Sequence, residues 1–506
     1  MKTTARHILF TGLTLLLMGQ QSFAQSNPTA QKPRTIVTTD GELDDVDSFI
    51  RMLLYANEFK LEGLVYSSSQ WHYKGDGKGT KFTSEISSTA KRYGERTELR
   101  WPGTTWMQEL LTEYGKVQPN LLKHAKDYPT AAALKKLVKV GNIDFEGEMV
   151  KVTEGSELIK NVLLDDNTQP VYLQIWGGTN TVARALKSIE DTYKGKANWQ
   201  QIYEKVSKKA IIYAVLDQDA TYVKYIAPNW PKIRIFYNSN QFWCLAYPWA
   251  NIVPKELQSY LRGEFMSKNI IHKHGPLLAK YYTWGDGMKI AGDAEHTQGT
   301  IEDMKKNKMT QYDFISEGDS PAYFQLLDVG LMNRNNPEYG GWGGRMVQSA
   351  TNPYRWEDAR TLTDFNHFTK KPDASFPQTR WIDALQLDFA ARADWCIKPY
   401  KEANHAPKIT VKEGNTIKVK AGDKVTITPS ATDPDGNKVD FTFWQYGEAG
   451  TSPEKVTIEQ NLNSVASIDI PQTAKSGDTI HIIVEGKDNG TPALIRYQRV
   501  IVEIIK

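Results

Sequence analysis

Four aspartates crowd into eight positions. Asp40, Asp44, Asp45 and Asp47, with Glu42 among them, fall in the stretch IVTTDGELDDVDSF that begins at Ile36. Like charges at this spacing repel, and burial strengthens the repulsion. Water can solvate such a group, or a helix N-terminus can accept Asp44 and Asp45 through its dipole. A hard divalent cation can also hold it together, since calcium takes roughly six to eight oxygen ligands. DGELDD offers a carboxylate at a strand end, a tight turn at Gly41 and carboxylates at a helix start, which suits either of the last two.

Other chemistry-bearing residues are scattered. Asp217 and Asp219, in AVLDQDATY, stand at another strand end, where loop solvation is the alternative. His72 in SQWHYKG and His296 in GDAEHTQ are candidate proton donors, each with a structural alternative. Trp71, Trp176, Tyr339 and Trp342 offer aromatic faces to a sugar; packing in a core is the competing use. The two cysteines, Cys244 and Cys396, sit beside Trp243 and Trp395. They form a disulfide or two buried thiols; without CxxC or paired histidines they do not suit zinc.

The elements that must position these residues alternate in type. RTIVTT reads as a strand and DDVDSFIRMLLYANEF as a helix with Val46, Phe49, Ile50, Leu53 and Leu54 on one stripe. LEGLVYSSS, PVYLQIWGG, KKAIIYAVLD and KIRIFYN read as strands; SELIKNVLLDD and TNTVARALKSIEDTY read as helices. The pattern predicts an α/β fold with a mostly parallel sheet and helices on both faces. Ligands of such sheets bind at the carboxyl ends of strands, where both the Asp cluster and WGGTNT fall. After about Tyr400 the pattern changes. KEANHAPKITVKEG reads as a polar linker, and short alternating strands with Gly, Asn and Asp turns then predict a small all-β immunoglobulin-like sandwich. Asp433 and Asp435 read as a plain turn, and alternation puts Trp444 between the sheets.

TTDGELDDVDSF is similar to the aspartate signature of nucleoside hydrolases, with Asp40, Asp44 and Asp45 at matching spacing, Thr38 replacing a first Asp and GE replacing PG. LEGLVYSSSQ, YLQIWGGTNTVARAL and SEGDSPAYFQLLDVGL resemble three later segments of that family, in the same order. The resemblance implies a calcium site of Asp40, Asp45, the Thr179 carbonyl and Asp319. It also implies sugar contacts from Asp44, Gln70, Asn180, Asp217 and Asp219, with Trp71 and Trp342 as added aromatic surfaces. Asp40 would take a proton from a water attacking the anomeric carbon through an oxocarbenium-like transition state, without a covalent intermediate. Where the family often has a leaving-group His, this chain has Gly318, so His296 and His72 are the substitutes. The whole chain resembles a secreted bacterial family with a nucleoside-hydrolase-like domain and a C-terminal immunoglobulin-like domain, labelled in part as cellulose-binding. PEYGGWGGRM and the insert RWPGTTWMQELLTEYGKVQPNL fit that group.

The bulk numbers agree with a two-domain reading of the 506 residues: a nucleoside-hydrolase-like domain over 33–398 and a sandwich over 405–506. With 62 basic against 59 acidic residues the chain is too balanced to suggest nucleic acid or an anionic membrane as partner. Lys2 and Arg6 before ILFTGLTLLLMG, then SFAQ, read as a signal peptide over 1–24 cleaved after Ala24, hence a periplasmic or secreted protein with no membrane span after cleavage. Three readings follow: a calcium-dependent glycoside or nucleoside hydrolase, a non-catalytic binder of cellulose-like polysaccharide, or a calcium site serving stability alone. The last would show as a site without a cleft.

Overall fold

The apolar runs become strands where the sequence places them. A computed structural model describes residues 31–506, so the candidate signal peptide and its cleavage position lie outside the described residues. The sheet strands are β1 (Arg34–Thr39), β2 (Lys60–Tyr66), β3 (Val138–Val140), β4 (Val171–Ile175), β5 (Ala210–Val215), β6 (Arg234–Asn238), β7 (Val347–Gln348) and β8 (Arg355–Glu357). They form one sheet in the order β3-β2-β1-β4-β5-β6-β8-β7. All neighbours are parallel except β7 and β8 at the edge. β1 and β5 are buried at every position, the mark of strands covered on both faces.

Two apolar layers do the covering. Helix α1 (Leu43–Leu54) contributes Phe49, Ile50 and Leu53 to a layer shared with the helices Trp106–His124 and Ile382–Trp395. The helices Glu154–Leu164, Asn180–Tyr193 and Trp199–Lys209 build the other layer around Ile159, Val182, Leu186 and Val206. Strand order runs outward in both directions from the β1–β4 pair. That makes the crevice at their carboxyl ends the topological switch point where α/β folds bind ligands. Among the described residues, no helix is long and apolar enough to cross a membrane.

Past a small hairpin, β9 (Asp364–Asn366) and β10 (Lys371–Asp373), and the helix Ile382–Trp395, the chain enters a β region that is antiparallel except where β12 pairs with β19. Its strands are β11 (Lys408–Val411), β12 (Thr416–Val419), β13 (Lys424–Ile427), β14 (Pro429–Thr432), β15 (Val439–Gln445), β16 (Ile458–Gln460), β17 (Ala466–Asp469), β18 (Thr479–Asp488) and β19 (Ile495–Ile504). A sheet β12-β19-β18-β15 and a sheet β13-β17-β16 enclose Val425, Ile427, Ile468, Ile482 and Val500. Asp433 caps its own turn through the backbone N–H groups of Asp435 and Asn437, as expected. Trp444 departs from expectation. Phe441 and Phe443 pack toward the sandwich core, while Trp444 points the other way, against Trp381.

The segment read as a polar linker is packed. Ala403, Asn404 and His405 are buried; His405 Nε2 lies 3.0 Å from His124 Nδ1, and the Trp395 indole donates to the Asn404 carbonyl. Beyond it the sandwich is fastened to the larger layer. The backbone N–H groups of Tyr497 and Arg499 donate to the carbonyls of Val329 and Gly330, each at 3.0 Å. The fully buried Arg499 guanidinium donates to the carbonyls of Leu331, Tyr339 and Gly340. Pro33–Lys506 accordingly form one compact unit. Gly330, at φ +90°, has no room for a Cβ, which would run into the Tyr497 carbonyl. Gly330→Ala is expected to cost about 2–4 kcal/mol, combining left-handed strain with the clash, read as a lower urea midpoint.

Candidate functional site

β1 delivers its last residue to the switch point, and the chain turns at once. Thr39 Oγ1 donates to the Asp45 carboxylate and accepts from the Gly41 N–H at 3.2 Å, tying strand end to helix start. Gly41 takes φ +81°, and a Cβ there would meet Pro102 Cγ at 2.7 Å and Trp106 Nε1 at 2.8 Å. Asp40 therefore stands at the strand tip while Asp44 and Asp45 occupy the first turn of α1. Gly177, after β4, packs onto Asp40; a Cβ would lie 2.9 Å from Asp40 Cβ. Asp319 arrives from the loop before the short helix Pro321–Phe324.

Asp44, Asp45 and Asp319 each bring a carboxylate oxygen within 4.8 Å of the others. Asp45 and Asp319 are buried and Asp44 is partly exposed. Burial first, then mutual repulsion with Asp40, pushes Asp45 and Asp319 well above the ordinary carboxylate range. Burial and the charges of Glu42 and Asp40 lift Asp44 to about 7. These oxygens make a hard donor set short of positive charge, which fits a divalent cation of the calcium type. Asp40 stands outside that converging set. Both its carboxylate oxygens are buried and lack a hydrogen-bond partner, in a residue only 1% exposed.

The other half of the site is compensated. Asp293 binds both His72 Nε2, at 3.1 Å, and His296 Nδ1, and accepts from Arg100 at 2.9 and 3.0 Å. His72 Nδ1 lies 3.5 Å from Asp40 Oδ2. His296 Nε2 lies 3.0 Å from the Tyr247 hydroxyl and 3.4 Å from Glu42. Burial opposes the charged form of His72, but Asp293, Asp40 and Glu42 outweigh it and raise the imidazole to about 9. Burial acts against Glu42 as well, yet His296, His72 and Arg100 hold it down at about 2. The two candidate histidines, far apart in sequence, thus meet through the shared Asp293 carboxylate, with His72 on the side of Asp40.

The remaining site candidates are placed differently. Asp219 accepts from Thr179 Oγ1, the Asn180 N–H and the Thr221 N–H, and Asp217 accepts from the N–H groups of Tyr222 and Val223. Asn180 Nδ2 donates to Ser68 Oγ and the Asn142 carbonyl. The Thr179 carbonyl accepts from the Ala183 N–H in the helix it starts. Gln70 accepts from Thr89 Oγ1 and donates its backbone N–H to Gln218. These groups are engaged in joining loop ends to each other. Trp71 packs edge-on to Tyr93, partly exposed. Trp342 is 1% exposed, and its face meets the Arg496 guanidinium of β19, so it stacks inside the protein rather than against a sugar. Cys244 and Cys396 are two buried free thiols.

Arg100, Asp293 and Tyr247 went unforeseen. Arg100 stands in the loop before the helix Trp106–His124, outside its apolar period; only the i,i+3 spacing of Asp293 and His296 hinted at a pair. Gly318 has a local reason: a Cβ there would lie 2.8 Å from Asp44 Oδ2, so this chain fills that space with a carboxylate.

A solved structure of a nucleoside hydrolase-related protein from Saccharophagus degradans, associated with carbohydrate metabolism, is similar at 26% identity and TM-score 0.68, covering 94% of this chain and 100% of that one. A plant nucleoside hydrolase is matched over 73% of this chain and 100% of its own, at 10% identity and TM-score 0.31. No curated protein matches. Residues 34–346 match the family described as cellulose-binding Sde182, nucleoside hydrolase-like domain, and residues 424–504 match the C-terminal domain of cellulose-binding protein Sde0182. The chain belongs to this nucleoside-hydrolase-like, cellulose-binding-labelled family.

Proposed function

We propose that the protein is an exported, calcium-dependent hydrolase of N- or O-glycosidic bonds, with a sugar, nucleoside or polysaccharide as substrate. The observation that carries this reading is the placement of Asp40. Its two buried oxygens, without a hydrogen-bond partner, stand beside a convergent trio of carboxylates. Asp44, Asp45 and Asp319 would hold calcium, which when bound supplies Lewis acidity toward water and sugar hydroxyls. Asp40 accepts the proton of the attacking water. His72, raised to about 9 and so charged at neutral pH, faces Asp40 through Nδ1 at 3.5 Å. His296, between Asp293, Tyr247 and Glu42, is the group placed to donate a proton to the departing aglycone. Arg100 fixes Asp293 and so both imidazole rings.

A panel of nucleosides and neutral glycans, incubated with calcium or with EGTA, tests the reading. Calcium-dependent release of reducing sugar supports it; no release from any member, with sugar binding retained, sinks it. That second outcome would favour a non-catalytic polysaccharide binder. The deep burial of Asp40, Asp45 and Asp319, at 1–2% exposure, and the family's cellulose-binding label favour this alternative.

Calcium should also show in stability. A carboxyl whose folded pKa is raised stabilises the fold fully below its ordinary value of 3.8, and the contribution is lost as pH climbs through the raised value, about 7 for Asp44. Calcium-free protein therefore weakens between pH 5 and pH 8. Calcium at about a hundred times its Kd is expected to raise Tm by about 3 °C at pH 8, and far less at pH 5, by differential scanning calorimetry.

A further inference from the structure

A cleft lined by none of the acidic-site residues lies in the seam between the sandwich and the helical layer. Its volume is about 860 Å³, within the range of ligand sites. Asp383 and Trp381, at the start of the helix Ile382–Trp395, and Phe365 of β9 form one wall. Trp444 of β15, Glu485 of β18 and Tyr497 of β19 form the other. Trp381 meets Trp444 at 6.0 Å and Tyr497 at 5.3 Å between ring centroids. The Arg380 guanidinium sits 4.4 Å from the Trp444 ring, inside this stack. Phe365 is 48% exposed, yet Glu448 of the sandwich accepts from its backbone N–H at 2.7 Å and fixes its position.

The polar groups converge from both walls. Asp383 and Glu485 are half-buried, and burial together with the charge of Asp383 pushes Glu485 up. A carboxylate pair accepts hydroxyl donors, and aromatic rings cover the apolar C–H face of a pyranose. An acidic glycan would be repelled by the pair. The cationic positions are already taken within the wall: Arg380 by ring stacking and Lys455 by its approach to Phe365 at 5.8 Å.

We infer that this seam is a binding site for a neutral oligosaccharide chain, separate from the acidic site, with Phe365 and Trp444 as stacking faces and Asp383 and Glu485 as hydroxyl acceptors. The inference rests on carbohydrate being the protein's ligand class, and not on turnover at Asp40.

The test is calorimetric titration of the full chain with cellohexaose, a neutral β-1,4-glucan, beside a chitosan oligosaccharide and an oligogalacturonate. Cellohexaose is expected to bind wild type. Phe365→Ala, at an exposed position, and Glu485→Gln should each weaken it about tenfold. Asp40→Asn should leave it unchanged. Because Phe365 lies on the surface, its loss separates binding from folding, checked by an unaltered Tm. Unchanged affinity in both cleft variants overturns the proposal, as does loss of binding in Asp40→Asn alone. Binding of only the chitosan or the galacturonate overturns it too, and so does the absence of any titratable binding. Hydrolysis failing while cellohexaose still binds through Phe365 would sink the proposed function and leave this site standing.

Discussion

For the proposed hydrolysis, Asp40→Asn is expected to slow sugar release by about a thousandfold while the protein keeps its fold. A positioned general base contributes about 10²–10⁴ in rate. Asparagine keeps the shape that Gly177 and β1 accommodate, but it accepts no proton from water. The stability change should run the other way. The Asp40 charge is among the causes that raise Asp44, Asp45 and Asp319, so removing it relieves repulsion in calcium-free protein. Release of reducing sugar and a calcium-free melting curve, taken together, read both effects. A variant retaining a tenth or more of wild-type rate would remove Asp40 from the role of base. A lower calcium-free Tm would contradict the electrostatic account of the cluster.

Arg51→Met is expected to cost about 3–5 kcal/mol of folding stability, the usual result of stranding one member of a buried ion pair. Arg51, on α1, is fully buried. Its Nη1 lies 3.2 Å from Glu317 Oε2 and donates to Gln386 at 2.8 Å, while Nη2 donates to the Leu385 carbonyl at 2.6 Å. The guanidinium also rests 4.4 Å from the Phe389 ring. Glu317 accepts in addition from Tyr281 and from Ser320 at 2.7 Å. Without the arginine, Glu317 keeps these donors but loses the charge that opposes its burial. The double variant Arg51→Met/Glu317→Gln should recover a large part of the loss, because it leaves no stranded charge. Urea denaturation of Arg51→Met, Glu317→Gln and the double variant gives the coupling. Glu317 lies two residues before Asp319, so Arg51→Met should also weaken the calcium-induced rise in Tm.

Much of this architecture is written in local pattern. β1, β4, β5 and the helices after β1 and β4 fall where apolar runs and 3.6-residue stripes put them. Asp40, Asp44 and Asp45 fall together because one strand end runs straight into one helix start; Asp319 reaches Asp44 and Asp45 from a loop with no strand directly before it. The segment from Ser239 to Met346 was opaque for a physical reason. It runs mainly through short turns such as Gln241–Leu245 and Gln258–Leu261, too brief to show a period, yet it supplies Tyr247 and Asp293. Trp342 looked like a surface aromatic because composition says nothing of what faces it; Arg496, over 150 positions later, covers it. Asp217 and Asp219 were legible as strand-end acids, but not as caps for neighbouring backbone. Trp444 obeyed alternation along β15, and the face it shows is set by a partner outside the sandwich.

The Arg499 anchor and the Val329–Tyr497 hydrogen bond have a consequence for reach. A module on a flexible tether searches a volume, and its effective concentration at a second site falls smoothly with linker length. Here the chain between the two parts is packed down, so any two sites they carry stand at one fixed separation and angle. A polymer would then be gripped at a defined register along its length. A long chain of matching pitch would gain strongly over a fragment too short to span the gap, and a chain of another pitch would gain nothing.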